Sequence, residues 1–259
     1  MKKVTIKRNL KKKNKTPITC LAVYSKLMAE VADKYCDITL VGDSLGMVLH
    51  GMKSTREVKM DTMILHGKTV KNSTKKSLVV VDMPYKTYTN KFIAYKNAKK
   101  LIHETKCDAV KIEGGKEVVK IIKYLISKKI QVMGHVGLLP QSATQFKFKG
   151  KNLLQKKKIL EDAIAVSTSG VFAIVIECVV EDLAKKITRN ISVPTIGIGA
   201  SKFCDGQILV ADDMLGLSNL TPKFVKQYIN LKKIIEKYVK KYTRDIKLRR
   251  FPTSKNVYR

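Results

Sequence analysis

The chain has 259 residues, of which 44% are hydrophobic, and this is enough for a globular fold with one well-buried core. Its formal net charge of +31 suggests a nucleic-acid partner, but only seven of the 52 basic residues are Arg and the lysines are spread along the chain. Because Arg is favoured wherever phosphates or base edges are read, we expect no specific nucleic-acid binding.

The N-terminal residues 1–15 are basic, and the hydrophobic stretch of a signal peptide does not follow them. We interpret them as a solvated leader. No apolar run approaches the roughly 20 residues of a membrane-spanning helix. The five cysteines are odd in number and include no Cys-x-x-Cys pair, which is typical of a reducing cytosol. We therefore expect a soluble, cytoplasmic protein without membrane association.

Short runs rich in Val and Ile recur along the chain and predict eight buried strands. They cover residues 18–23, 38–42, 78–81, 109–112, 131–134, 171–176, 195–198 and 207–210. Between most of them, apolar residues return every three or four positions, which predicts helices over 25–32, 92–104, 117–127, 156–168 and 181–188. Strands that are apolar on both faces and alternate with helices indicate a parallel sheet. Eight such units in about 250 residues favour a closed (β/α)₈ barrel over an open doubly wound sheet.

No internal domain boundary is visible, so we predict a single barrel domain over 1–259. Its basic C-terminal part, about 222–259, contains a Lys-rich amphipathic stretch. This pattern predicts a terminal helix over 224–242, with Pro222 in its first turn.

Four of the predicted strands run directly into a carboxylate. These carboxylates are Asp43, Asp82, Glu113 and Glu177. Because the carboxyl ends of parallel strands share one edge, we expect the four side chains to converge there. One such residue alone would more often be a helix N-cap or a solvated loop residue. Four of them at four strand ends favour a functional site.

Carboxylate oxygens without a His or Cys cluster suit Mg²⁺, which could chelate a 2-oxo acid and stabilise its enolate. Lys111 lies two residues before Glu113, so both side chains point to the same side of a strand, and Lys111 could pair with a substrate carboxylate. His135 follows the fifth strand on the same rim. A substrate contact and a structural hydrogen bond are both open for it.

These strand ends carry recognisable motifs. They read Val41-Gly42-Asp43-Ser44-Leu45-Gly46-Met47, Val81-Asp82-Met83-Pro84, Val110-Lys111-Ile112-Glu113-Gly114-Gly115, Met133-Gly134-His135-Val136-Gly137-Leu138, Glu177-Cys178-Val179, Ile196-Gly197-Ile198-Gly199-Ala200 and Asp205-Gly206-Gln207-Ile208-Leu209-Val210. In this order they closely resemble the ketopantoate hydroxymethyltransferase family. The resemblance implies a barrel of the phosphoenolpyruvate/pyruvate type, assembled as a homodecamer. It also implies the condensation of 3-methyl-2-oxobutanoate with 5,10-methylenetetrahydrofolate and water, giving 2-dehydropantoate and tetrahydrofolate for pantothenate and coenzyme A synthesis.

The same resemblance implies roles for individual residues. The family's magnesium site corresponds to Asp43, Asp82 and Glu113, with Glu113 bound directly or through a water. Its 2-oxo acid contacts correspond to Asp43, Ser44, Asp82 and Lys111. Its catalytic base corresponds to Glu177, and a further residue near the substrate corresponds to His135.

Two loops that border the folate region in the family depart from its usual pattern, after the first strand at 21–24 and after the fifth at 137–148. A related Mg²⁺-dependent lyase or mutase that acts on oxo acids without folate is therefore the alternative. The second loop carries Lys147, Lys149 and Lys151. We expect these lysines to favour folates with anionic polyglutamate tails.

Overall fold

Eight parallel strands close into a barrel in the computed structural model, which describes residues 3–218 and 222–258. In chain order the strands are β1 (Ile18–Ala22), β2 (Ile38–Val41), β3 (Leu78–Asp82), β4 (Ala109–Glu113), β5 (Val132–Gly137), β6 (Ala173–Glu177), β7 (Thr195–Ile198) and β8 (Gly206–Val210). Each strand pairs in parallel with its neighbour in sequence, and β8 pairs with β1. The predicted closed barrel and all eight predicted strands are thus confirmed.

Helices fill most of the connections between the strands. They are α1 (Ile6–Leu10), α2 (Lys26–Tyr35), α3 (Leu45–Val48), α4 (Met60–Asn72), α5 (Lys91–Thr105), α6 (Val119–Ser127), α7 (Leu153–Ser167), α8 (Glu181–Asn190), α9 (Ala211–Met214) and α10 (Leu231–Lys247). Side-chain caps fix several helix starts. Ser25 accepts from the backbone N–H of Met28, and Asn90 accepts from those of Phe92 and Ile93. Each of the five predicted helices is present, with ends shifted by a few residues.

The strands β3 and β4 are buried along their whole length, including their charged residues. Val110 and Ile112 supply part of the apolar core. Lys111 and Glu113 alternate with them and face Asp82 and His135 of the neighbouring strands. Because Val110 and Ile112 point into the apolar core, Lys111 and Glu113 must point to the other side of the strand, toward Asp82 and His135.

The basic residues before β1 form an ordered part of the fold, in contrast to the solvated leader predicted from their charge. After α1, Lys12 Nζ lies 2.5 Å from Oδ1 of Asp37, and Lys13 Nζ lies 2.8 Å from Oδ2 of Asp205. Asp37 directly precedes β2 and Asp205 directly precedes β8. These lysines therefore neutralise carboxylates at the amino ends of the strands, the end of the barrel opposite the predicted site.

The chain divides into two compact units, Met1–Ala211 and Asp212–Arg259, where the sequence predicted a single domain. The second unit contains α10, whose predicted start at residue 224 is wrong. Its first helical residue is Leu231, because Asn230 caps the helix by accepting from the backbone N–H of Lys233. In front of it, the N–H of Tyr228 donates to the carbonyl of Met214, which holds the chain out of a helix. Within residues 3–218 and 222–258, no helix is long and apolar enough to cross a membrane.

Candidate active site

The predicted carboxylates meet at the carboxyl ends of the strands. Asp43 follows β2, and its backbone N–H donates to Oδ2 of Asp82 at 3.2 Å. Asp82 and Glu113 end β3 and β4, and Glu177 ends β6. The first three side chains are buried, whereas that of Glu177 is 17% exposed. The expected convergence is therefore present, with Glu177 on the more open side.

Lys111 is the cation inside this cluster. Its Nζ lies 3.1 Å from Oδ2 of Asp82, its register partner on β3. Burial lowers the pKa of Lys111, but the surrounding carboxylates, Asp82 above all, outweigh burial and raise it. The ammonium group therefore stays charged although it is buried, as a contact for an anionic substrate requires.

His135 joins the two sides of the cluster. Its Nδ1 lies 3.3 Å from Nζ of Lys111 and 3.5 Å from Oε1 of Glu113. Its Nε2 lies 3.2 Å from Oε2 of Glu177, without the alignment of a full hydrogen bond. Burial and Lys111 lower the pKa of His135, but the contacts with the two glutamates outweigh them and raise it to about 9. The side chain is thus a structural link and also lies on the site.

The acidic cluster fits a divalent cation. Oδ1 of Asp82 is buried and has no hydrogen-bond partner among the described residues. Burial, and then repulsion from Asp82 and Glu113, raises the pKa of Asp43 well above its usual range. A cation between these oxygens would relieve both the missing contact and the repulsion.

The ligand set is sparse. In the described part of the chain, no three His, Cys, Asp or Glu side chains surround a common metal position. Mg²⁺ usually keeps several waters and takes only one or two carboxylates from the protein. Direct ligation by Asp43 and Asp82 fits this preference. Glu113 is held by His135 and by the backbone N–H of Gln141, which is consistent with a contact through a water.

Ser44 lies beside the cluster at the start of α3. Its Oγ lies 2.7 Å from the hydroxyl of Tyr24, which follows β1. A side chain on Gly42 would place its Cβ 3.0 Å from Oγ of Ser44 and 3.6 Å from Asp82. The distance to Asp82 is an ordinary contact, so the absence of a side chain at Gly42 mainly leaves room for Ser44.

Gln141 belongs to the site, although we did not select it from the sequence. It is buried in the loop after β5, and its Nε2 donates to Oδ2 of Asp43 at 2.7 Å. Its backbone N–H donates to Oε2 of Glu113 at 3.1 Å. A neutral amide in a loop does not stand out by charge, so no signal in the sequence pointed to it.

Two cavities of about 380 Å³ each border the loops after β3, β4 and β5. One is lined in part by Tyr88, Glu113 and Gln141, and so reaches the acidic cluster. The other is lined in part by Gly137 and Lys149. The first of these spaces, next to Glu113, is large enough for a small molecule.

The chain is similar to known proteins along nearly its whole length. Residues 3–254 match the profile of the family described as ketopantoate hydroxymethyltransferase. The 3-methyl-2-oxobutanoate hydroxymethyltransferase of Pelagibacter ubique is 55% identical over 96% of this chain and 97% of its own. The enzyme of the same name from Phenylobacterium zucineum is 50% identical over 95% of this chain and 91% of its own.

Solved structures agree on the fold. A 2,3-dimethylmalate lyase of the PEP mutase/isocitrate lyase superfamily aligns with a TM-score of 0.64 at 12% identity, over 99% of this chain and 89% of its own. A phosphonopyruvate hydrolase in complex with oxalate and Mg²⁺ aligns with a TM-score of 0.62 at 12% identity, over 81% of each chain. The predicted (β/α)₈ barrel fold is therefore confirmed. From the match along nearly its whole length, we conclude that the chain belongs to the ketopantoate hydroxymethyltransferase family.

Proposed function

We propose that this protein transfers a hydroxymethyl group from 5,10-methylenetetrahydrofolate to 3-methyl-2-oxobutanoate. With water as the source of the hydroxyl oxygen, the products are 2-dehydropantoate and tetrahydrofolate. The observation that carries the proposal is the buried cluster of Asp43, Asp82, Glu113 and Lys111 next to Glu177, in a chain of this family. Such a cluster can hold a small oxo acid and remove a proton from it.

Asp43 and Asp82 would hold Mg²⁺, with Glu113 in contact through a water. The bound cation would supply a Lewis acid that withdraws electron density from the oxo acid and so acidifies the C–H bond at C3. Lys111 orients the substrate carboxylate by charge. Its ammonium group is buried, so water does not screen this interaction. Ser44, beside Tyr24, is a further contact for the oxo acid.

Glu177 is the proposed general base, which accepts the C3 proton. Nε2 of His135 lies 3.2 Å from this carboxylate and attracts it by charge to this side of the cluster. The resulting enolate forms the new C–C bond with the one-carbon unit of the folate, and the two C–N bonds of that unit break. Water supplies the hydroxyl oxygen, and the two folate nitrogens take up the C3 proton and one proton from water. Orientation is essential here, because a misplaced carbanion would be protonated before it met the second substrate.

We propose that the protein acts in the cytoplasm on small molecules, as a homo-oligomer and specifically a decamer. No residue of α10 is buried, and Ile235, Val239 and Tyr242 are exposed on it. Exposed apolar side chains along one helix are typical of surfaces that associate with another chain. They support self-association, while the number of subunits comes from the family resemblance.

A coupled assay tests the reaction. Purified protein loaded with Mg²⁺ is given 3-methyl-2-oxobutanoate and methylenetetrahydrofolate, and 2-dehydropantoate is measured. We expect turnover that requires Mg²⁺ and falls about 10²–10⁴-fold in Glu177→Gln, with no change in the exposed control Glu181→Gln. Folded, Mg²⁺-loaded protein that makes no 2-dehydropantoate would exclude the transferase. The alternative, a Mg²⁺-dependent oxo-acid lyase or mutase without folate, would then be examined with oxo acids alone.

A further inference from the structure

Gln141 is linked by hydrogen bonds to two of the proposed metal-site carboxylates. Its side chain reaches Asp43, and its backbone reaches Glu113. We propose that Gln141 is a positioning residue that orients Asp43 for cation binding, and that Tyr88 holds Gln141 in this role. The inference rests on the metal site of the proposed function. It adds to that site two uncharged residues, Gln141 and Tyr88.

The amide group of Gln141 has a partner for each of its polar atoms. Nε2 donates to Oδ2 of Asp43 at 2.7 Å and to the carbonyl oxygen of Met83 at 2.9 Å. Oε1 accepts from the hydroxyl of Tyr88 at 2.5 Å. A flipped amide would set its oxygen against the carboxylate and its N–H₂ against the hydroxyl. The amide therefore has one favourable orientation, in which it donates to Asp43.

The loop that carries Gln141 is itself fixed. Nε of Arg56, in a 3-10 turn at Thr55–Glu57, donates to the carbonyl oxygen of Gln141 at 2.8 Å. A second guanidinium nitrogen of Arg56 donates to the carbonyl oxygen of Ala143 at 3.1 Å. Arg56 therefore holds the backbone at Gln141 and just after it, from which the amide side chain reaches Asp43.

The role is needed because of the charges around Asp43. This carboxylate is buried next to Asp82 and Glu113, whose repulsion favours any rotation away from them. A hydrogen bond to one of its oxygens opposes that rotation and leaves the other oxygen free to face a cation. Hydrogen-bond partners of metal ligands commonly contribute 10–100-fold to metal affinity.

A Mn²⁺ titration tests the proposal without turnover. The electron paramagnetic resonance signal of free Mn²⁺ reports binding to the full-length protein, and melting curves report folding. We expect the Kd for Mn²⁺ to rise about 10–100-fold in Gln141→Leu and about tenfold in Tyr88→Phe, which keeps the ring and loses only the hydroxyl. The matched controls Gln145→Leu and Tyr85→Phe lie in the same two loops, and we expect wild-type affinity from both.

A kinetic measurement separates positioning from catalysis. In Tyr88→Phe, raised Mg²⁺ should restore kcat nearly to the wild-type value, because only the occupancy of the site is impaired. If folded Tyr88→Phe and Gln141→Leu proteins have a Kd for Mn²⁺ within twofold of wild type, this inference is wrong, while the proposed metal site stands. A wild-type protein that binds no Mn²⁺ would overturn this inference and the proposed metal site together.

Discussion

Nε2 of His135 lies 3.2 Å from Oε2 of Glu177, so an imidazole on β5 faces the proposed base on β6. The substitution His135→Gln keeps a polar group of similar reach but removes the rigid ring. We expect kcat to fall about 10–100-fold, because a small misplacement of a catalytic group has effects of this size. Steady-state kinetics in both substrates measure the change. The exposed His103→Gln is the control, and an unaltered kcat in folded His135→Gln would contradict the role.

Asp43→Asn should separate stability from metal binding. Burial and neighbouring carboxylates raise the pKa of Asp43, so its ionisation at neutral pH weakens the folded state. We expect the variant without metal to gain about 0.5–2 kcal/mol in unfolding free energy, as is common where function needs an unfavourable group. It should also lose the rise in Tm that Mg²⁺ gives the wild type. Thermal melts with and without Mg²⁺ measure both effects, with the exposed Asp61→Asn as control. A variant that Mg²⁺ still stabilises would contradict the ligand role.

Lys147 and Lys149 line a cavity of about 330 Å³ next to the loop after β5. If folate enters here, both lysines attract a polyglutamate tail through charge that salt screens. Replacing both with Gln should raise KM for polyglutamyl folate at low salt and leave KM for the monoglutamyl form unchanged. The surface pair Lys96→Gln with Lys99→Gln is the control. Equal KM values for both folates in the wild type at low salt would refute the prediction.

Asp33 provides a test of stability against pH. Burial alone would raise its pKa, but hydrogen bonds from the backbone N–H groups of Ser77, Lys75 and Lys76 outweigh burial and lower it. Because the folded pKa lies below the unfolded value of about 3.9, this stabilisation is fully present above about pH 4 and is lost as the pH falls through the folded pKa.

The substitution Asp33→Asn leaves fewer acceptor sites for these N–H groups. We expect it to reduce the unfolding free energy by about 1–3 kcal/mol at pH 7, and by progressively less below pH 4. Urea unfolding over a series of pH values measures the difference, with Asp61→Asn again as control. A difference that stays constant down to pH 2 would rule out the proposed linkage.

The barrel and its acidic mouth could be predicted because both depend on local pattern. Four of the strands lead into a carboxylate that can be identified in the sequence. Parallel pairing of the strands then brings Asp82 and Glu113 to one edge. Gln141 could not be found in this way. Its contact with Asp43 joins two loops, and nothing near either residue in the sequence indicates it.

The ends of the chain were predicted less well for a related reason. The contact of Lys13 with Asp205 joins residues at opposite ends of the barrel sequence, so charge alone predicts a solvated segment here. The start of α10 depends on the cap at Asn230 and on the contact of Tyr228 with Met214. The amphipathic pattern alone favours a start at residue 224.

The aspartates at the two ends of the barrel have different partners. Opposite the mouth, Asp37, Asp108 and Asp205 are neutralised by lysines that include Lys12 and Lys13 from the first fifteen residues. At the mouth Lys111 pairs with Oδ2 of Asp82, but Oδ1 of Asp82 has no hydrogen-bond partner among the described residues. A version of the protein truncated before β1 would therefore remove these countercharges and unfold at a lower temperature. An affinity tag inserted among those residues would carry the same risk even where every catalytic group is intact.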